Sequence, residues 1–128
     1  MMFPYDFGFI PSTLGEDGDP LDILVLMDAP AHVGCLIDVR VIGIISAKQT
    51  EDGKTERNDR LIAVATQSLL YSDVQKLEDL NSKVLRQIEE FFVNYQKVRG
   101  IEATILGHSG PRKARQILSK AMTHDKAA

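Results

Sequence analysis

Three aspartates fall within six residues at Asp17-Gly18-Asp19-Pro20-Leu21-Asp22, just ahead of the apolar run Ile23 to Met27. Carboxylates set this closely repel one another, so the ionised form is disfavoured unless a positive charge offsets the field. A hard divalent cation does so, because Mg²⁺ takes oxygen ligands and is held by one or two carboxylates together with substrate phosphates. Gly18 lets the backbone turn sharply and Pro20 fixes its path. Asp, Gly and Pro are also the ordinary residues of a solvated turn before a strand, so on these residues alone both readings stand. A calcium loop of the EF-hand kind does not fit. It needs glycine at its sixth position and polar ligands through the ninth, whereas Asp22 is sixth here and Ile-Leu-Val-Leu-Met follows.

The elements that must hold this loop show in the periodicity. Residues 1–22 carry three of the five prolines, with turn residues at Gly8, Ser12, Gly15 and Gly18, which predicts an extended segment and loop. Ile23 to Met27 reads as a short buried strand bounded by Asp22 and Asp28. Leu36 to Ala47 is rich in Ile and Val and predicts a second strand. Glu51-Asp52-Gly53-Lys54 predicts a tight hairpin turn, and Arg60 to Ala65 the returning strand. After Thr66 the period changes. Val84, Leu85, Ile88, Phe91, Phe92, Tyr95 and Val98 recur at three- and four-residue steps, the pattern of an amphipathic helix that Gly100 ends. Ile101 to Leu106 predicts a last strand, and Pro111 opens a final helix with Ala114, Ile117, Leu118, Ala121 and Met122 on one face. Strands before helices predict one α+β domain, mainly β, over residues 1–128: a small barrel or curled sheet with helices packed outside.

Composition excludes several classes. Hydrophobic residues make up 44% and charged residues 26%, as in an ordinary globular protein, which rules out a disordered or fibrous chain. The net charge of −3 gives no footprint for nucleic acid or an anionic membrane surface. A single cysteine, Cys35, cannot close an internal disulfide. The apolar runs fall far short of the ~20 residues of a membrane span, and Met1-Met2-Phe3-Pro4-Tyr5-Asp6 lacks the plan of a signal peptide, so a cytoplasmic protein is expected.

Asp17-Gly18-Asp19-Pro20-Leu21-Asp22-Ile23 resembles the D-x-D-P-x-D signature of soluble (family I) inorganic pyrophosphatases, with all three aspartates and the proline in place. Phe3 to Leu14 is similar to that family's aromatic-Pro-x-x-aromatic-Gly-aromatic segment. Gly43-Ile44-Ile45, Leu61-Ile62-Ala63-Val64 and Phe91-Phe92-Val93-Asn94-Tyr95 resemble two of its strands and the helix that ends in its active-site tyrosine. The resemblance implies a five-stranded barrel of the oligonucleotide-binding type with flanking helices. It also implies Mg²⁺-dependent hydrolysis of pyrophosphate to phosphate, with Mn²⁺ as an alternative metal. By position, Asp17 and Asp22 are implied metal ligands, Asp19 the carboxylate that takes the proton from the attacking water, and Tyr95 a phosphate contact. The structural alternative for Tyr95 is a core tyrosine, since it lies on the apolar stripe with Phe91 and Phe92.

The chain departs from the family pattern in several places. Gapless alignment on Leu61 to Val64 puts Arg60 where the family has a phosphate-binding lysine and Asn58 where it has an acidic ligand. Asp59, one step away, becomes the nearest carboxylate for that role after a local shift of register, and Asp52 an outer acidic ligand. Each has a bland alternative, as a solvated strand-end charge and a turn residue. Arg for Lys keeps the cation and adds a fork suited to phosphate. Phe7 stands where the family has a tyrosine, and Lys97 lies one step beyond the family lysine, where Gln96 is found. The family's N-terminal strands, with further phosphate-holding cations, are expected to be absent. That predicts weakened catalysis and a homo-oligomer, a dimer or higher, that covers an exposed edge. Three function classes follow: a pyrophosphatase, a catalytically silent relative that binds Mg²⁺ or phosphate, and a nucleic-acid-binding barrel. The last fits worst, because the aromatics sit in core patterns.

Overall fold

The computed structural model describes residues 5–9, 22–28 and 36–127, with the backbone alone for 5–9 and 123–127. Six strands and two helices follow in the order β1 (Tyr5–Phe9), β2 (Asp22–Leu26), β3 (Val39–Glu51), β4 (Lys54–Arg57), β5 (Arg60–Ala65), α1 (Ser82–Val98), β6 (Glu102–Ser109) and α2 (Pro111–Ala127). A 3₁₀ turn, Leu77–Asp79, precedes α1. The sheet runs β1-β2-β5-β3-β4, and β6 pairs with β3. Among the described residues only β2 and β5 are parallel neighbours; the other pairs are antiparallel. The α+β class therefore holds, but the described strands form an open mixed sheet rather than a closed barrel. Among the described residues β1 pairs only with β2 and β6 only with β3, so no ladder joins these two strands.

β2 and β5 show no polar alternation because both of their faces are covered. Leu24, Leu26, Ile62 and Val64 pack with Ile88, Val84, Leu85 and Phe91 of α1. Ile23, Val25, Leu61 and Ala63 pack with Ala114, Ile117 and Leu118 of α2. Each leucine, isoleucine or valine among them, once fully buried, contributes about 1.5–3 kcal/mol. In β3, Ile42 and Ile45 join the α1 cluster and Ile44 the α2 cluster. That break in alternation coincides with a register shift between Val41 and Gly43. Gly43 is required there, because a Cβ would overlap the Leu77 side chain and lie 2.7 Å from the Ser109 carbonyl oxygen. Arg40 fastens the segment after β5, donating to the carbonyls of Val74 at 3.0 Å and Tyr71 at 3.1 Å.

The turn chemistry behaves as the sequence predicts. Asp52 and Gly53 have φ of 52° and 78°, the pair of positive values that a two-residue hairpin closed by Glu51 and Lys54 requires. Asn81 caps α1 by accepting from the Lys83 amide at 2.8 Å. At the other end Gly100 (φ 81°) donates to Lys97 and Ile101 to Gln96, a Schellman closure that satisfies two orphan carbonyls. Several boundaries differ from the sequence reading: β2 is shifted by one residue to Asp22–Leu26, and β6 runs on to Ser109. Residues 36–38 precede the strand rather than begin it, β3 runs on to Glu51, and the return strand starts at Lys54, broken only at Asn58 and Asp59. Among the described residues, no helix is long and apolar enough to cross a membrane.

Candidate active site

The parallel register of β2 and β5 pairs Ile23 with Leu61, which sets the preceding residues, Asp22 and Arg60, side by side at the starts of their strands. Both continue the α1 face defined by Leu24 and Ile62. Arg60 Nη1 lies 3.4 Å from Asp22 Oδ2, with the arginine side chain 9% exposed and the aspartate 37%. The Arg60 guanidinium also sits over the Phe92 ring, its Cζ 4.6 Å from the centroid. A guanidinium this far from water needs compensation, and it has two kinds: an opposite charge at its edge and a π face beneath its plane. Stacking fixes the plane of the fork, so its N–H edges point in set directions, the geometry that suits a phosphate or carboxylate oxygen. Asp22, half-exposed beside it, offers a hard oxygen donor.

A chain of amides runs next to this pair. Asn58 Nδ2 donates to Gln49 Oε1 at 2.7 Å, and Gln96 Nε2 donates to the same oxygen at 3.0 Å. Arg99 Nη1 then donates to Gln96 Oε1 at 3.3 Å. Asn58 and Gln96 are buried, so these bonds replace water that neither amide can reach. Arg99 also lies over the Tyr95 ring, 5.8 Å from its centroid, and Tyr95 packs against Phe91 with centroids 6.1 Å apart.

The residues nominated from the sequence are partly brought together. Asp22 and Arg60 are in contact, and Tyr95 stands on α1 beside Gln96, half-exposed rather than in the core. Lys97 is exposed on the next helix position. Asp59 is engaged elsewhere: its Oδ1 accepts from the Ala47 amide at 3.1 Å, and Arg57 Nη2 reaches Oδ1 at 3.1 Å and Oδ2 at 3.0 Å. Asp52 occupies the first loop position of the β3–β4 hairpin. Asp17 and Asp19 lie outside the described residues, and among the described residues no group of three or more His, Cys, Asp or Glu side chains converges.

Sequence reasoning missed Phe92 as a floor for Arg60, and it missed Gln49 and Arg99 altogether. One signal was available. Ile88, Phe92 and Gln96 are spaced by four, so a glutamine stands on the buried line of α1, where an amide must find a partner. At the other end of β2 and β5, a pocket is lined by Met27, Asp28, Ala65 and Ser68 among others. Its Asp28 is taken up as an acceptor, from Ser68 Oγ at 2.6 Å and the Leu69 and Leu70 amides at 2.8 and 3.2 Å. The Ser68 hydroxyl, followed by the Leu69 amide, holds this carboxyl below its ordinary range. Asp28 thus closes a turn.

A family model described as inorganic pyrophosphatase matches residues 1–126. The inorganic pyrophosphatase of Synechocystis sp. is 39% identical over 107 residues, spanning 84% of this chain and 61% of the relative. That of Geobacillus stearothermophilus is 34% identical, spanning 95% of this chain and 72% of the relative. Among solved structures, the inorganic pyrophosphatase of Helicobacter pylori superposes with a TM-score of 0.87 at 28% identity, over 97% of this chain and 72% of that one. The Thermus thermophilus enzyme gives 0.87 at 30% identity, over 97% and 71%. The chain is thus shorter than each of these relatives, reaching about three-fifths of the Synechocystis protein.

Proposed function

The chain belongs to the inorganic pyrophosphatase family, and from that premise we propose that it hydrolyses inorganic diphosphate to two phosphates in an Mg²⁺-dependent reaction. The observation that supports this best is the contact between Asp22 and Arg60, an oxygen donor for a cation beside a buried fork for phosphate. In this reading Asp17 and Asp22 hold Mg²⁺ or Mn²⁺. When bound, the metal neutralises phosphate charge and makes water a competent nucleophile near neutral pH. Asp19, between the two ligands in sequence, accepts the proton of the attacking water. Arg60 donates to phosphate oxygens, with Tyr95 and Lys97 as outer contacts from α1. Asp59 stays bound to Arg57 and Ala47, and Asp52 to its hairpin turn, so the metal-holding role rests on the loop. The closed Asp59 and the neutral Asn58 favour one second reading, a domain that binds Mg²⁺ or phosphate without turnover. Phosphate release from pyrophosphate separates the two.

Metal binding has its own test. At free Mg²⁺ or Mn²⁺ of 100 times Kd, mass action stabilises the folded chain by about 2.7 kcal/mol, which a thermal melt reads directly. The wild type should melt several degrees higher, and an Asp17→Ala/Asp22→Ala variant should show little change. Equal rises in both would remove the loop from the metal site. A second expectation concerns assembly. Among the described residues β6 pairs with β3 on one side only and carries the half-exposed Leu106. An open strand edge of this kind invites a partner strand. A homodimer is therefore proposed, and light scattering at micromolar concentration checks it: a stable 14.2 kDa species would rule it out.

A further inference from the structure

The oxygen of Gln49 is shared by two buried donors that arrive from different elements. Asn58 comes from the break between β4 and β5, and Gln96 from α1. Each donor is tied to Arg60 through its own element. Asn58 lies two residues before it on the return strand, and Phe92, whose ring carries the guanidinium, lies one helical turn before Gln96 on α1. The shared acceptor thus ties the helix to the strand where ring and guanidinium meet. We propose that Gln49 is a positioning residue for Arg60. By clamping Asn58 and Gln96 it sets the spacing between α1 and β5 at which Phe92 supports the Arg60 fork toward phosphate. The inference rests on the reading of Arg60 as a phosphate-binding cation.

The chemistry of the shared atom explains why a glutamine is suited to the place. A carboxamide oxygen has two lone pairs, and here one N–H takes each. An apolar side chain of similar length fills the space but leaves two buried amide donors without acceptors. The helix can then move to let water reach them. A displacement of α1 shifts the Phe92 ring beneath Arg60 and frees the fork to turn. A carboxylate in the same place keeps the two-donor acceptor, so Gln49→Glu preserves the clamp while Gln49→Met removes it.

The test is the affinity for inorganic phosphate, by calorimetry in saturating Mg²⁺, beside the melting temperature of each variant. Gln49→Met should weaken phosphate binding by a factor of about 10, the cost of a mispositioned charged hydrogen bond, and Gln49→Glu should restore it to within about twofold. Arg60→Met should weaken binding at least as much as Gln49→Met. A merely structural Gln49 would lower the melting temperature and leave phosphate affinity unmoved. A folded Gln49→Met that binds phosphate as the wild type does, beside an Arg60→Met that does not, overturns the clamp. Wild-type affinity in Arg60→Met overturns the reading of Arg60 itself. If Gln49→Met does not fold, Gln96→Leu, which removes one of the two donors, is subject to the same criteria.

Discussion

Asp19→Asn should lower the rate of phosphate release from pyrophosphate by a factor of about 10² or more, the usual contribution of a positioned general base. The substitution keeps the size and shape of the side chain, and an amide can still accept a hydrogen bond from water. It cannot take the proton. The loop should therefore still close on a cation through Asp17 and Asp22, and the Mg²⁺-induced rise in melting temperature should persist in the variant. This combination separates a base from a ligand: losing a ligand would weaken metal binding and turnover together. Turnover near the wild-type rate in Asp19→Asn would remove the base from this position.

The layout of the domain was legible where a local rule and the tertiary structure agree. Asp52-Gly53 predicts a two-residue hairpin, and both residues adopt the positive φ it needs. The three- and four-residue recurrence from Val84 to Val98 predicts α1, and Gly100 its end, because amphipathicity and the C-cap point the same way. Pro111 does begin α2. Strand ends were less legible. In the reading from sequence the return strand begins at Arg60, yet ladder pairing already starts at Lys54, where Lys54 to Arg57 are polar and largely exposed and give no hydrophobic signal. Between the small barrel and the curled sheet the sequence could not choose, because closure depends on which strands meet across the fold, and periodicity does not encode that.

The site divides in the same manner. Asp22 and Arg60 each stand one residue before a buried run, but only the parallel register of β2 and β5 puts them in contact. Register is a pairing property and cannot be read from either strand alone. Asp59 shows the opposite case. It is a carboxylate close in sequence to a ligand position of the resembled family, yet its oxygens go to Arg57 and the Ala47 amide, since the break in the strand leaves that amide to be satisfied by a side chain. Gln49 gives no sequence signal at all. Its importance comes from two donors 9 and 47 residues away in the chain that converge on one oxygen.

Removing the metal should have a still larger effect on turnover than Asp19→Asn, because it takes away charge neutralisation of the substrate and activation of the water together. Each is worth several kcal/mol of barrier, so the combined loss is about 10⁴-fold or more. Of Asp17, Asp19 and Asp22, the last is the one among the described residues, and its neighbour Arg60 supplies one positive charge on its own. One guanidinium cannot balance the multiply charged diphosphate, so residual hydrolysis without metal should fall close to the uncatalysed background. Phosphate release from pyrophosphate, measured with Mg²⁺ and again after chelation, tests the central claim most directly. Rapid release that requires Mg²⁺ is the predicted result. Release that continues unchanged after chelation, or none under either condition from a folded chain that binds Mg²⁺, would contradict it.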